Sequence, residues 1–178
     1  MTHQILIAGF GGQGVLFAGK FLAYKGMVED LNISWLPSYG PEMRGGTANC
    51  SVVRSDKPVG SPVFARSTEL IALNEPSLSK FEADVLPGGT VFVNSDVVTD
   101  KVSRPDLTAY YIPCSKLAEE VGNPKVSNMV MLGAYVAATK ILKPETIETM
   151  IAEMFSGAKA KFIPLNIEAF RKGMACVQ

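Results

Sequence analysis

The segment Gln4-Ile-Leu-Ile-Ala-Gly-Phe-Gly-Gly-Gln-Gly-Val15 runs from strand-forming residues, Ile5 to Ala8, straight into a cluster of glycines. Gly9, Gly11 and Gly14 satisfy the spacing G-x-G-x-x-G, and an amphipathic helical pattern follows from about Gly12 to Glu29. Strand, glycine turn and helix in that order let a backbone approach a phosphate at a helix N-terminus. Val15, Ala18 and Leu22 recur at helical spacing with Phe17 and Phe21 beside them, so this helix packs on a core whatever its N-terminus holds. Two features set the turn apart from an ordinary dinucleotide fingerprint. Gly11 and Gly12 are consecutive residues without Cβ, which permits very close approach of a ligand or another backbone. Gln13 stands just before the last glycine, and its amide both donates and accepts. Phosphate cradling and docking of a neighbouring subunit both remain open.

A dinucleotide site needs a second signal, an acid at the end of the next strand to hold the ribose hydroxyls. That strand reads as Ile33-Ser-Trp-Leu36, and the corresponding position falls on Leu36-Pro37-Ser38. The acid is missing, so NAD is not the expected ligand. The next ten residues, Pro37 to Gly46, hold two prolines and three glycines with Tyr39, Glu42, Met43 and Arg44 mounted among them. One reading is a plain surface turn with Arg44 paired to Glu42. The favoured one is a rigid loop that presents Tyr39 and Arg44 to a ligand or partner at the C-terminal ends of the strands.

Thr47 to Val53 alternates as a strand and follows its predecessor without a helix, which implies an antiparallel portion of the sheet. Further strands are expected at Glu69–Leu73, Thr90–Asn94 and Thr108–Ile112, with Leu86-Pro-Gly-Gly89 as a tight turn before the second of these. Pro76 suits the first turn of a helix to about Val85, and Pro113 that of a short helix to Val121. Ser127 to Leu142 is an almost wholly apolar helix with Ser127 and Asn128 as its cap. Ile147, Met150, Ile151 and Met154 stripe a helix that starts at Pro144. A last helix, about Pro164 to Lys172, is stopped by Gly173. The alternation gives an α/β fold, a single three-layer Rossmann-like domain over residues 1–178 with a largely parallel, partly mixed sheet.

Composition narrows the chemistry. Lysine plus arginine and aspartate plus glutamate are balanced at 17 each, and no basic run stands out, which argues against nucleic-acid binding. Cys50, Cys114 and Cys176 form no C-x-x-C, so they neither hold an iron–sulfur cluster alone nor outline a disulfide framework, and are expected buried and reduced. The single histidine, His3, is too near the N-terminus for a Ser-His-Asp triad, a Cys-His pair or a multi-histidine zinc site. No signal peptide is expected, because glycines interrupt the first apolar run, and Met129–Ala138 is too short to span a bilayer. The expectation is a soluble, cytoplasmic protein with neither membrane nor nucleic acid as a partner.

Taken together, Gly9-Phe-Gly-Gly-Gln-Gly-Val15, Ser38-Tyr-Gly-Pro-Glu-Met-Arg-Gly-Gly46 and Ala72-Leu-Asn-Glu-Pro76 resemble the gamma subunits of 2-oxoacid:ferredoxin oxidoreductases. Pro87-Gly-Gly-Thr-Val91 and Asn128-Met-Val-Met-Leu-Gly133 extend the resemblance over almost the whole chain. It implies a subunit of a heteromeric enzyme that oxidatively decarboxylates a 2-oxoacid with coenzyme A to acyl-CoA, carbon dioxide and reduced ferredoxin. Thiamine diphosphate with magnesium and iron–sulfur clusters would carry that chemistry on alpha, beta and, where present, delta partners. No catalytic residue and no metal ligand is expected on this chain alone, and none of those cofactors is assigned to it alone. The residues implied to face the shared active site are Gly9, Gly11, Gly12, Gln13, Gly14, Ser38, Tyr39, Glu42, Arg44, Gly45, Gly46 and Asn74. Arg44 is the side chain expected to meet an anionic group, since a guanidinium pairs well with carboxylate or phosphate. The loop looks more like that of 2-oxoglutarate and branched-chain members than of pyruvate members, and 2-oxoglutarate is favoured. The alternatives are the small subunit of an indolepyruvate oxidoreductase and a stand-alone dinucleotide-binding oxidoreductase.

Overall fold

The structure, a computed structural model, describes residues 2–28, 31–42 and 45–177. The chain divides into two compact units, residues 1–111 and 112–178. The first carries β1 (Thr2–Phe10), α1 (Val15–Val28), β2 (Asn32–Tyr39), β3 (Thr47–Ser55), β4 (Ser67–Ala72), α2 (Glu75–Phe81) and β5 (Val85–Asn94). A further strand, β6 (Thr108–Ile112), completes a six-stranded sheet in the order β2-β3-β1-β4-β5-β6. The expected antiparallel portion is β2 and β3. β3 pairs antiparallel with β2 on one side and with β1 on the other, while β1, β4 and β5 run parallel.

Alternation along the strands sorts the core onto two faces. Ile7, Cys50, Ile71 and Phe92 are cross-strand neighbours on one face, and Cys50 Sγ there donates to the Val15 carbonyl of α1 at 3.4 Å. Leu6, Leu70, Val91 and Val93 lie on the opposite face and pack with Leu78 of α2. The helices after β1 and β4 therefore cover opposite faces, giving helix, sheet and helix layers within this unit. The segment between β5 and β6 is fastened to α2 by carboxylates. Glu75 accepts from the Thr99 and Asp100 amides at 2.8 and 3.1 Å, and Glu82 from those of Ser103 and Arg104 at 2.7 and 2.9 Å.

Several punctuation residues act differently from their sequence reading. Pro37 and Ser38 belong to β2, not to a loop. β2 is the outermost strand, where a proline breaks no ladder. Pro87, Gly88 and Gly89 are not a turn before β5 but a bulge inside it. Ser67 opposes Val85 and Glu69 opposes Thr90, so four residues of β5 are looped out against one of β4.

The second unit holds α3 (Cys114–Val121), α4 (Ser127–Thr139), α5 (Pro144–Met154) and α6 (Ile163–Ala175). Neither Ser127 nor Asn128 caps α4, whose N-cap is Val126 without a side-chain bond; Asn123 instead accepts from Lys125 to cap the preceding 3-10 turn. Gly173 does not end the last helix. It is buried inside α6, and a Cβ there would run into the Val130 carbonyl, as one on Gly133 would run into that of Phe170. Ile147, Met150 and Ile151 form the expected buried stripe. Cys50 and Cys114 are buried and not disulfide-bonded, whereas Cys176 is exposed. Among the described residues no helix is long and apolar enough to cross a membrane.

Candidate functional site

Because β3 lies between β2 and β1, the loop from β2 to β3 reaches the same sheet end as the glycine turn after β1. The registers place Tyr39 opposite Ala48, Ala48 opposite Gly9 and Thr47 opposite Phe10. The Gly40 N–H donates to the Thr47 carbonyl at 2.8 Å and closes the loop base. Backbone then joins backbone. The Gly11 N–H donates to the Gly46 carbonyl at 2.8 Å, and the Gly45 N–H donates to the Gly11 carbonyl at 3.4 Å. The two glycine-rich segments read from the sequence thus meet in one surface, and Gly11 is its joint.

The glycines are needed for different reasons. Gly12 and Gly14 have φ of 100° and 76°, and Gly45 has φ of 73°, the left-handed region that a side chain disfavours. Gly46 lies so close to the Glu42 carbonyl that a Cβ would collide with it. Gly9 has no such φ; a Cβ there would stand 2.6 Å from Gln13 Oε1 and 3.0 Å from Leu73 Cβ. α1 then starts at Val15 with no acid in its first turn. The Gly14 carbonyl already accepts from Ala18 at 2.9 Å, and the first N–H groups of α1 have no intrahelical carbonyl to meet. That end suits an anionic group.

Gln13 uses its amide internally. Oε1 accepts from the Phe10 N–H at 2.6 Å and Nε2 donates to the Leu73 carbonyl at 3.0 Å. Asn74, buried, accepts from the Ser77 N–H at 3.0 Å and caps α2. Since α1 and α2 leave adjacent parallel strands for opposite faces, β1 and β4 flank a switch point of the kind where α/β sheets bind ligands. A shallow concavity lies there, walled by Gly9, Phe10, Thr47, Asn49, Asn74 and Ser77. Ser38, Tyr39 and Glu42 are exposed on the β2 side of it. Met43 and Arg44 lie outside the described residues. Neither Asn49 nor the Leu73 carbonyl is legible in the sequence, since neither belongs to a motif and a backbone acceptor leaves no trace in residue identity.

Away from this end, His3 Nδ1 meets Glu69 Oε1 at 2.7 Å near the N-terminal end of β1. Burial pushes the Cys50 thiol up to about 12, against weaker lowering by hydrogen bonds to the Trp35 side chain and the Gly19 backbone. Among the described residues no three His, Cys, Asp or Glu side chains gather to hold a metal ion.

The sequence model of one family, described as pyruvate ferredoxin/flavodoxin oxidoreductase, matches residues 4–176. The chain belongs to this family. Within it, the chain is 40% identical over 171 residues to ketoisovalerate oxidoreductase subunit VorA of Methanothermobacter marburgensis, covering 96% of itself but 35% of that protein. It thus spans about a third of the length of that relative. It is 38% identical over 177 residues to 2-oxoglutarate synthase subunit KorC of Methanocaldococcus jannaschii, covering 97% of itself and 92% of the relative. Among solved structures, the keto/oxoacid ferredoxin oxidoreductase gamma subunit of Geobacter sulfurreducens superposes with a TM-score of 0.82 at 32% identity, over 98% of both chains. The 2-oxoglutarate:ferredoxin oxidoreductase of Magnetococcus marinus, solved with 2-oxoglutarate, coenzyme A and succinyl-CoA bound, superposes with a TM-score of 0.87 at 25% identity, over 99% of this chain and 31% of that one.

Proposed function

We propose that this chain is the gamma-type subunit of a cytoplasmic heteromeric 2-oxoacid:ferredoxin oxidoreductase that converts 2-oxoglutarate and coenzyme A to succinyl-CoA, carbon dioxide and reduced ferredoxin. The observation that carries the reading is the joint at Gly11, which welds the glycine turn to the 40–46 loop at the strand ends. With a near full-length match to KorC, this makes a platform on a subunit, not a free-standing site. In this reading thiamine diphosphate, magnesium and the iron–sulfur clusters are carried by alpha, beta and, where present, delta partners, as the family resemblance implies. The start of α1, which has no acid in its first turn, fits one of coenzyme A's phosphates, and Arg44 is the side chain we assign to pair with an anionic group of the substrate or coenzyme. Stand-alone dinucleotide binding is disfavoured twice, by Leu36-Pro37-Ser38 and by Gln13, whose bridge spans the crevice a dinucleotide would enter.

A branched-chain 2-oxoacid is the second reading, favoured by the 40% identity to VorA. Partners would be recovered by purifying the tagged chain from its native cell and assaying the complex with a ferredoxin-like acceptor. Preferential turnover of 2-oxoglutarate over 2-oxoisovalerate supports the first reading, and the reverse order supports the second. Arg44→Ala should cut kcat/KM by about a hundredfold, the scale of a lost charge-assisted contact, without unfolding the chain. Wild-type kinetics in that variant would remove Arg44 from the site.

A further inference from the structure

We propose that Gln13 is a positioning residue: its amide bridge holds the glycine turn in the conformation that hydrogen-bonds Gly45 and Gly46. The catalytic consequence rests on the subunit reading above; the bridge itself does not. Gln13 faces Phe10 twice, through its own N–H to the Phe10 carbonyl at 3.1 Å and through Oε1 from the Phe10 N–H at 2.6 Å. Nε2 then ties the turn to the end of β4 at the Leu73 carbonyl, 3.0 Å away. One side chain therefore joins two neighbouring strand ends, and it needs a donor and an acceptor on the same planar group. Gly9 completes the arrangement, because any side chain there would occupy the place of Oε1.

The bridge governs the loop through Gly11, which sits between Phe10 and Gln13. Both backbone groups of Gly11 are used on the loop, its N–H on Gly46 and its carbonyl on Gly45. On the other side Gly12, at φ 100°, has open space where a Cβ would stand. Besides the Gln13 side chain, the turn is closed by the backbone bond from the Gln13 N–H to the Phe10 carbonyl. Release of the Gln13 amide would let Phe10 to Gly12 move, and the loop bonds move with them.

Gln13→Glu tests this with an internal control. A carboxylate still accepts from Phe10 but has no hydrogen for the Leu73 carbonyl; once protonated it has both. The Leu73 carbonyl favours the protonated form, whereas the Phe10 N–H and the nearby start of α1 favour the carboxylate, so the group is neutral only at acid pH. In the full chain, hydrogen-exchange protection of the Gly11 and Gly45 amides, corrected for intrinsic rates, should fall about tenfold at pH 8, the worth of one hydrogen bond, and recover toward wild type at pH 4. Gln13→Met should lose it at both pH values, and amides of β4 and β5 should not change in either variant. Unchanged protection in Gln13→Glu at pH 8, or a loss spread evenly over the sheet, overturns the bridge. In the reconstituted complex the same variant should raise KM for coenzyme A more than it lowers kcat. A loosened loop with wild-type kinetics leaves the bridge standing and sinks the active-site reading. Altered kinetics with full protection does the reverse.

Discussion

Gly9 and Gly12 lack side chains for unrelated reasons, and substitution separates them. Alanine at Gly9 keeps an allowed backbone but pushes its Cβ against Gln13 Oε1, Leu73 and Val15. The expected loss is about 1–3 kcal/mol of folding stability, the usual range for overpacking, read from urea unfolding. Alanine at Gly12 meets no atom but must adopt φ near 100°, at a cost of about 1–2 kcal/mol. Asparagine, which tolerates that region, should recover part of the loss at Gly12 and none at Gly9. The thiols divide just as sharply. Cys50 is fully buried with its thiol pushed up to about 12, whereas Cys176 is exposed near the chain end. In the native chain at pH 8, a thiol reagent should modify Cys176 within minutes and reach Cys50 and Cys114 only after denaturant is added. Rapid loss of all three thiols would show that the layer between α1 and the sheet opens readily.

At the level of elements, α4 and α6 touch where two glycines face each other's backbone. A Cβ on Gly133 collides with the Phe170 carbonyl and one on Gly173 with that of Val130. Neither obstacle is a flexible side chain, so the helices themselves must separate. Gly133→Ala and Gly173→Ala should each cost at least about 2 kcal/mol, and the double variant less than their sum, because the first separation makes room for the second. Thermal unfolding of the four proteins measures this. Gly173 also illustrates where a sequence can be read and where it cannot. Its position after an apolar run looks like a helix stop, because glycine has the same identity at a cap and at a close crossing; only the neighbouring helix distinguishes them. Pro37 and Pro87 are parallel cases, one on an edge strand and one in a bulge, each compatible with a strand for tertiary reasons. By contrast β1, β3 and β4 were legible, since alternation and β-branched residues act locally. At the site, the glycine turn and the loop were legible as a pair through their motifs. The use of Gln13 was not, because its partners are a backbone N–H and a backbone carbonyl.

For the whole molecule, charge sets the acid limit and the exposed sheet edge is a candidate surface for assembly. Glu75 is held below its ordinary value by the Thr99 and Asp100 donors, Asp106 by Arg104, and Glu120 by Lys172. A depressed carboxylate contributes stability above its unfolded value and loses it as pH falls through the folded one, so the urea midpoint should decline below about pH 4.5. Asp100, raised by its hydrogen bond to Glu75, opposes that trend. Glu75→Gln should make the decline shallower. The edge makes the larger demand. β2 runs for eight residues without a charge and leaves Trp35, Leu36 and Tyr39 at 37%, 40% and 49% exposure. Soluble chains normally guard such an edge with lysine, brevity or a covering element, and here Pro37 is the single guard on the strand. A subunit of a heteromer satisfies this by pairing or packing the edge against another chain. Leu36→Asp should therefore leave the circular dichroism of the free chain unchanged and move its urea midpoint only slightly, since the side chain is already partly exposed. In the cell it should weaken co-purification of partner subunits by about a hundredfold, the cost of burying an unpaired carboxylate. Lys101→Asp, a change of charge on the exposed segment between β5 and β6 at the other edge of the sheet, serves as the control and should assemble normally. Full recovery of partners with Leu36→Asp would place the subunit contact elsewhere and leave β2 a free edge guarded by Pro37 alone.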